Sequence, residues 1–398
     1  MRRIDLKKAQ AARLNTIRDI NRQIVLNYVR EREPISRAEI ARETALQRST
    51  ISAIVDSLKA EGLVKEVGEG ESTGGRRPTL LRLRTAGPIA IGVSITPTRT
   101  IVATSDLAGR VIEQEEFLTD PIWNRSAQRI IASVKHFSSQ PNSSIEAVGM
   151  SIPGLVDPET GCAIYVPYFK WRDLPIEQVI SDSTGLPVTI DNDANSVGLA
   201  ELWFGRPEIS DARDFILILV AEGVGSGIII DGQVYRGERG AAGEFGHMIV
   251  GAAAPVPCSC GNFDCWEAFS SERAAMNRYE RLTQNGASVG SIGFPELVDR
   301  ALTGEAHART SLIETAHYLG IGISNLIVGF SPEVVIVGGE ISRAWRLIEA
   351  ALTETIGRSV RRGLPSARIL ASTLGRHPTL MGALSLVLAR KFASAFAA

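Results

Sequence analysis

The sequence predicts a small winged helix-turn-helix at the N-terminus, residues 1–84, followed by a larger α/β body of two lobes around a cleft, residues 85–398. Three observations carry this. At 398 residues the chain exceeds one ordinary domain. Apolar spacing is helical up to about residue 62, gives two short strands up to 84, and thereafter alternates between strand-like and helical stretches. Charge divides at the same place: residues 1–84 hold 18 Lys/Arg against 11 Asp/Glu, whereas the remainder holds 25 against 33, within a net charge of −1. A basic head on an acidic body is what attraction to nucleic acid requires of one part only.

The head is built in order. Ile17, Ile20, Ile24 and Tyr28 recur at helical spacing and define a first helix that Pro34 ends. Ser36 and Glu39 form a Ser-x-x-Glu capping box for a second helix, about Arg37 to Glu43, which closes in the turn Thr44-Ala45-Leu46. A third helix buries Ile51, Ile54, Val55 and Leu58 and ends near Gly62. Its opposite face carries Gln47, Arg48, Ser49 and Ser52, side chains suited to base edges and phosphates. Leu63–Val67 and Leu80–Leu83 are two strands of a wing whose tip, Gly74-Gly75-Arg76-Arg77-Pro78, offers Arg76 and Arg77 to a groove or to phosphates. Three helices and a wing place the third helix in a major groove. Ile35-Ser36-Arg37-Ala38-Glu39-Ile40-Ala41, Ser49–Ser52, Gly62-Leu63-Val64 and Gly74–Pro78 together resemble the DNA-binding head of repressors in the ROK (repressor, open reading frame, kinase) family. The resemblance adds Arg37 and Thr50 to the expected DNA contacts. Ala45 departs from it, since the family's turn usually has glycine there.

In the body, Ile89–Ile95, Thr100–Thr104 and Ala147–Ile152 read as strands. So do Phe215–Val220, Gly227–Ile230 and Val334–Val337, with the glycine-rich stretch Gly223–Gly227 read as a loop. Helices are expected at 194–204, 266–280, 308–328 and 378–393. This order resembles the ROK sugar-kinase domain, which implies an actin-like, two-lobed fold over residues 85–398.

Of four cysteines, three fall within eight positions, which points to a metal and not to disulfides. His247, Cys258, Cys260 and Cys265 supply one imidazole and three thiolates, a closed tetrahedral set suited to structural zinc. Cys162 stands apart. The set resembles the ROK zinc loop, with Asp264 in place of its last glycine.

Polar groups that hold several hydroxyls at once recognise sugars. Asp191-Asn192-Asp193-Ala194-Asn195 joins a strand to a helix and resembles the family's Asn-Asp-Ala-Asn motif. Gly243-Glu244-Phe245-Gly246-His247 resembles its Glu-x-Gly-His motif, and Glu267 a further sugar-contacting glutamate. The resemblance thus implies a sugar site of Asn192, Asp193, Glu244, His247 and Glu267, with Asp193 at the kinases' base position. The phosphate sites depart from the family. Where ROK kinases read Asp-x-Gly-Gly-Thr-Lys, this chain has Ser94-Ile95-Thr96-Pro97-Thr98-Arg99, and where they read Gly-Thr-Gly it has Ala221-Glu222-Gly223. Proline donates no N–H, and Glu222 sets an anion against phosphates. No catalytic residue is therefore expected.

The expectation is a sugar-responsive transcriptional regulator, a repressor of carbohydrate genes, binding operator DNA as a homodimer or homotetramer. No apolar run nears the ~20 residues that span a bilayer and no signal peptide is evident, so a cytoplasmic protein without membrane partners is expected. Two readings stay open: a bifunctional ATP-dependent sugar kinase that also binds DNA, and a regulator controlled by a partner protein.

Overall fold

A computed structural model of the chain describes residues 14–70, 77–85, 87–141, 143–206, 209, 212–283, 292–360 and 363–392. The head opens with α1 (Leu14–Arg32). This helix buries Val25, Leu26 and Val29; Ile17 is exposed, and Ile20, Ile24 and Tyr28 are half-buried. The helix is where the spacing put it, but its buried face is rotated from the predicted stripe, because the body packs against one flank. A two-residue strand β1 (Ile35–Ser36), absent from the sequence-based expectation, precedes α2 (Arg37–Thr44) and pairs Ile35 with Leu81. The capping box is formed as expected: Ser36 accepts from the Glu39 amide, and the Glu39 carboxylate accepts from the Ser36 amide at 2.8 Å. α3 (Arg48–Ala60) buries Ile51, Val55 and Leu58, and the wing strands β2 (Val64–Glu69) and β3 (Thr79–Leu83) pair antiparallel.

Between α2 and α3, Ala45 sits in the left-handed region at φ 56°. An L-residue with a Cβ is strained there by roughly 1 kcal/mol. Ala45 is exposed, so Ala45→Gly sacrifices no burial. The substitution should stabilise the head by about 0.5–1 kcal/mol after the extra freedom of glycine in the unfolded chain is discounted. A rise in the denaturant midpoint of the head's transition checks this; a fall would contradict it.

The body repeats one design twice. In the first lobe β4 (Ala90–Ile95), β5 (Arg99–Ser105) and β6 (Val111–Leu118) form an antiparallel meander. After α4 (Trp123–Ser138), β7 (Ala147–Ile152) adds parallel to β4. A small ribbon of β8 (Leu155–Asp157), β9 (Cys162–Val166) and β10 (Trp171–Leu174) comes next, then α5 (Ile176–Thr184) and the edge strand β11 (Val188–Asn192), parallel to β7. α6 (Asp193–Phe204) crosses to the second lobe. There β12 (Phe215–Val220), β13 (Val224–Ile230) and β14 (Gln233–Val234) form the matching meander. Helices α7 (Trp266–Ser270), α8 (Glu272–Thr283), α9 (Phe294–Thr303) and α10 (Ala306–Phe330) come after it, then β15 (Val334–Gly338), α11 (Trp345–Ser359), β16 (Arg368–Ala371) and α12 (Pro378–Phe392). The strand orders β11-β7-β4-β5-β6 and β16-β15-β12-β13-β14 correspond strand for strand. The two-lobed fold expected of the body is thus present.

The helices after the last strand of each sheet exchange lobes. α6 packs on β12 and β13, α12 packs on β4 and β7, and the two lie against each other. Gly223–Gly227, read as a loop, is mostly strand β13. Its glycines admit the start of α6: a Cβ on Gly227 would lie 2.5 Å from the Ala194 carbonyl oxygen. The predicted helix 266–280 is broken at Ser271, which is extended.

α6 and α12 also hold the head. Asn27 donates to the Phe392 carbonyl at 2.8 Å, and the Arg30 guanidinium lies 4.7 Å from the Trp203 ring and 4.9 Å from that of Phe392. One apolar cluster runs from Val25, Leu26 and Ile51 of the head to Leu384 and Phe392 of α12. No described helix is long and apolar enough to cross a membrane.

Candidate functional site

A cavity of about 330 Å³ lies between the lobes. Pro97, Gly154, Asn192 and Asp193 line it from the first lobe and its crossing helix; Glu222–Ser226, Glu244, His247 and Glu267 line it from the second. All five residues of the expected sugar set therefore meet in one place. Their free hydrogen-bonding capacity differs. Asn192 caps α6: its Oδ1 accepts from the Ala194 and Asn195 amides at 2.8 and 3.1 Å, and its Nδ2 donates to the Gly154 carbonyl at 2.9 Å. One N–H remains for a ligand, so Asn192 contributes less than its motif implies. Asp193 accepts from the Ala194 amide at 2.8 Å and keeps an oxygen free. Burial, with the facing Glu244 and Glu222 carboxylates adding to it, pushes Asp193 up to about 7. Burial likewise raises Glu222 and Glu244. Asp191, in the same motif, points away and is buried against Arg236 at 2.8 Å.

Glu267 starts α7 and joins this cavity to the cysteine cluster. Its Oε1 accepts from the Ser259 amide at 3.0 Å and the Ser259 hydroxyl at 2.7 Å, with Cys258 Sγ 3.1 Å away. Burial works to raise Glu267, but these donors outweigh it and hold the carboxyl below its usual range. The donor atoms of His247, Cys258, Cys260 and Cys265 lie within 4.8 Å of one another. His247 divides its ring between the two sites. Nδ1 lies 3.3 Å from Cys258 Sγ, and Nε2 lies 3.4 Å from Glu244 Oε2 on the cavity side. Asp264 keeps the backbone of the glycine it replaces, at φ 63°, and its Oδ1 accepts from the Ala254 amide at 2.8 Å.

The kinase-type phosphate positions are filled differently. Ser94 is buried and hydrogen-bonded to Thr379 at 2.7 Å, and Thr96 and Arg99 close a tight turn through the Thr96 amide. Pro97 and Glu222 line the same cavity as Asp193. Tyr165 and Tyr168, which the expected sugar set does not include, line it as well, from β9 and the turn that follows it. Regular tyrosine spacing would not have revealed them.

On the head, Gln47, Arg48 and Ser49 are exposed at the start of α3, and Thr50 and Ser52 are half-buried beside them. Gln47 makes no capping bond and leaves its amide free. Arg37 is engaged within the head. Its guanidinium is paired with Asp56 at 2.9 Å and Glu66 at 3.0 Å, bracing α2 against α3 and the wing. Arg77 is exposed two residues before β3, in the loop that joins the wing strands. Arg76 lies outside the described residues.

Residues 90–390 match the profile of the ROK family, and residues 24–77 that of the MarR family. The chain is 33% identical over 388 residues to the xylose repressor of Caldicellulosiruptor bescii, covering 94% of this chain and 96% of that one. A solved ROK family transcriptional regulator, a homolog of the E. coli MLC protein, is similar with a TM-score of 0.75 and 25% identity, over 95% of this chain and 99% of that chain. A ROK family glucokinase from Streptomyces griseus, solved with glucose and AMPPNP, is similar with a TM-score of 0.68 and 31% identity, over 75% of this chain and 98% of its own. With a profile match over most of its length and a relative this similar end to end, the chain belongs to the ROK family.

Proposed function

We propose that the protein is a sugar-responsive transcriptional regulator, a repressor of carbohydrate uptake or catabolism genes, that binds its sugar without phosphorylating it. One observation carries the reading: a single cavity holds the carboxylates of the expected sugar set together with Pro97, where the kinase pattern has a phosphate-binding glycine, and Glu222, where it has a threonine. Asp193 near 7 would suit a base. A base alone transfers no phosphoryl group without amides and a metal-bound carboxylate to hold the donor. The similarity of the C. bescii xylose repressor over nearly the whole chain supports regulation over catalysis.

The cysteine cluster is proposed to hold structural zinc. A tetrahedral zinc with Zn–S near ~2.3 Å separates its sulfurs by roughly 3.7 Å. Cys258–Cys260 and Cys260–Cys265 lie 3.2 and 3.8 Å apart. Burial raises the thiols of Cys258 and Cys265, so their joint ionisation calls for a bound cation. The ion would fix His247 and Glu267 without entering the cavity.

The full regulator is proposed to be a cytoplasmic homodimer or homotetramer on a near-palindromic operator. The head is residues 1–84 and the effector body 85–398. Arg48→Ala should weaken operator binding roughly tenfold through loss of base discrimination of ~1–3 kcal/mol. Arg77→Ala should weaken binding to all sequences and lower the slope of log K against log salt by about 1. Gel-shift titrations at several salt concentrations read both. Unchanged affinity in Arg48→Ala would remove α3 from the DNA interface.

A further inference from the structure

Resting on the reading of this cavity as a sugar site, we propose that the effector is an uncharged sugar and that Glu222 excludes its phosphorylated and acidic relatives. Four carboxyl groups line the cavity, Asp193, Glu222, Glu244 and Glu267, and no lysine or arginine lines it among the described residues. The nearby cation, Arg273, is committed elsewhere. Its Nε donates to the Glu222 carbonyl at 2.8 Å, and its Nη2 donates to the Pro257 carbonyl at 3.3 Å and lies 3.6 Å from Glu267. It thus holds the Glu222 backbone in place; its charge reaches the Glu222 carboxyl only through space, with no ion pair between the two among the described residues, and Thr98 hydrogen-bonds that carboxyl.

The amides at the start of α6 point into Asn192 and Asp193, which already occupy them. The turn carrying Glu222 is closed on itself by the Ala221 amide and the Gly223 carbonyl at 2.9 Å. A neutral polyol finds acceptors for its hydroxyls along this lining. A phosphate, or a uronic carboxylate, meets these four carboxyl groups with no lysine or arginine in the lining to pair with it. Glu222 therefore acts as a specificity-determining residue, and its presence is more than the loss of a kinase loop.

The test uses the full chain with its metal, at pH 8, by calorimetric titration. Xylose, glucose and N-acetylglucosamine are compared with their 5- or 6-phosphates and with glucuronic acid. The expected result is binding of at least one neutral sugar, with its charged relative weaker by on the order of a hundredfold or more. Glu222→Gln should narrow that gap by about tenfold. A phosphorylated sugar binding wild-type protein as tightly as its parent overturns the inference while leaving the sugar reading intact. A gap unchanged in Glu222→Gln overturns the assignment to Glu222. If that variant does not fold, the wild-type ratio decides alone. Binding in neither series overturns the sugar reading itself, and the inference falls with it.

Discussion

Asp193→Ala should bind operator DNA as the wild type does and need at least tenfold more sugar for release. The variant leaves a sugar hydroxyl without its acceptor, a loss of about 1–3 kcal/mol, and touches nothing in the head. Asp193 opens α6, whose far end holds Trp203 against Arg30 of α1. A rigid helix thus runs from the cavity to the head, the kind of element that a closing cleft can displace. Trp203→Ala at the far end should bind sugar normally and still respond weakly on DNA. A wild-type response there would show that the signal takes another route, and wild-type release in Asp193→Ala would put the sugar elsewhere.

The raised Asp193 carries a pH signature. A sugar hydroxyl donating to it favours the ionised form, whose population falls as pH drops through about 7. Sugar affinity should therefore fall about tenfold between pH 8 and 6. Asp193→Asn should flatten the profile.

Cys260→Ser should bring metal content from about one ion per chain to near zero and abolish the sugar response. Cys260 is exposed, so the substitution disturbs little packing, and the loss of response reports the metal. Without it, the loop from His247 to Cys265 loses its cross-link, and Glu267 and His247 lose their anchor. A drop in stability of ~2 kcal/mol or more, about 5 °C in melting temperature for a body of this size, is expected. Elemental analysis and thermal melts check both halves. Metal-free wild-type protein, prepared without chelator, would remove the zinc proposal.

What the sequence disclosed was what is local. The Ser36–Glu39 capping box lies within one helical turn, and three of the four metal-set residues lie within eight positions, so type and spacing sufficed. The motif residues of the cavity were legible for the same reason. Non-local causes were not. Gly225 and Gly227 are glycines because α6, beginning some thirty residues earlier, packs on β13, and in isolation they resemble a loop. The α1 stripe was misjudged because α12, at the other end of the chain, covers part of that helix. The ion pair of Arg37 with Glu66 of the wing joins residues 29 apart in the chain, which spacing does not show. Ala45 and Asp264 both hold left-handed backbone, at the two positions where the resemblance leads one to expect glycine, and only φ reveals this.

The central claim is that one cavity governs DNA binding without catalysis. Its direct test is fluorescence anisotropy of a labelled duplex, selected by the protein from a random DNA pool, during sugar titration with ATP and magnesium present. At least one sugar should change the anisotropy saturably and be recovered unphosphorylated. Sugar phosphate accumulating at an ordinary kinase rate, ~1–100 per second, or DNA binding indifferent to every sugar the cavity binds, would contradict it.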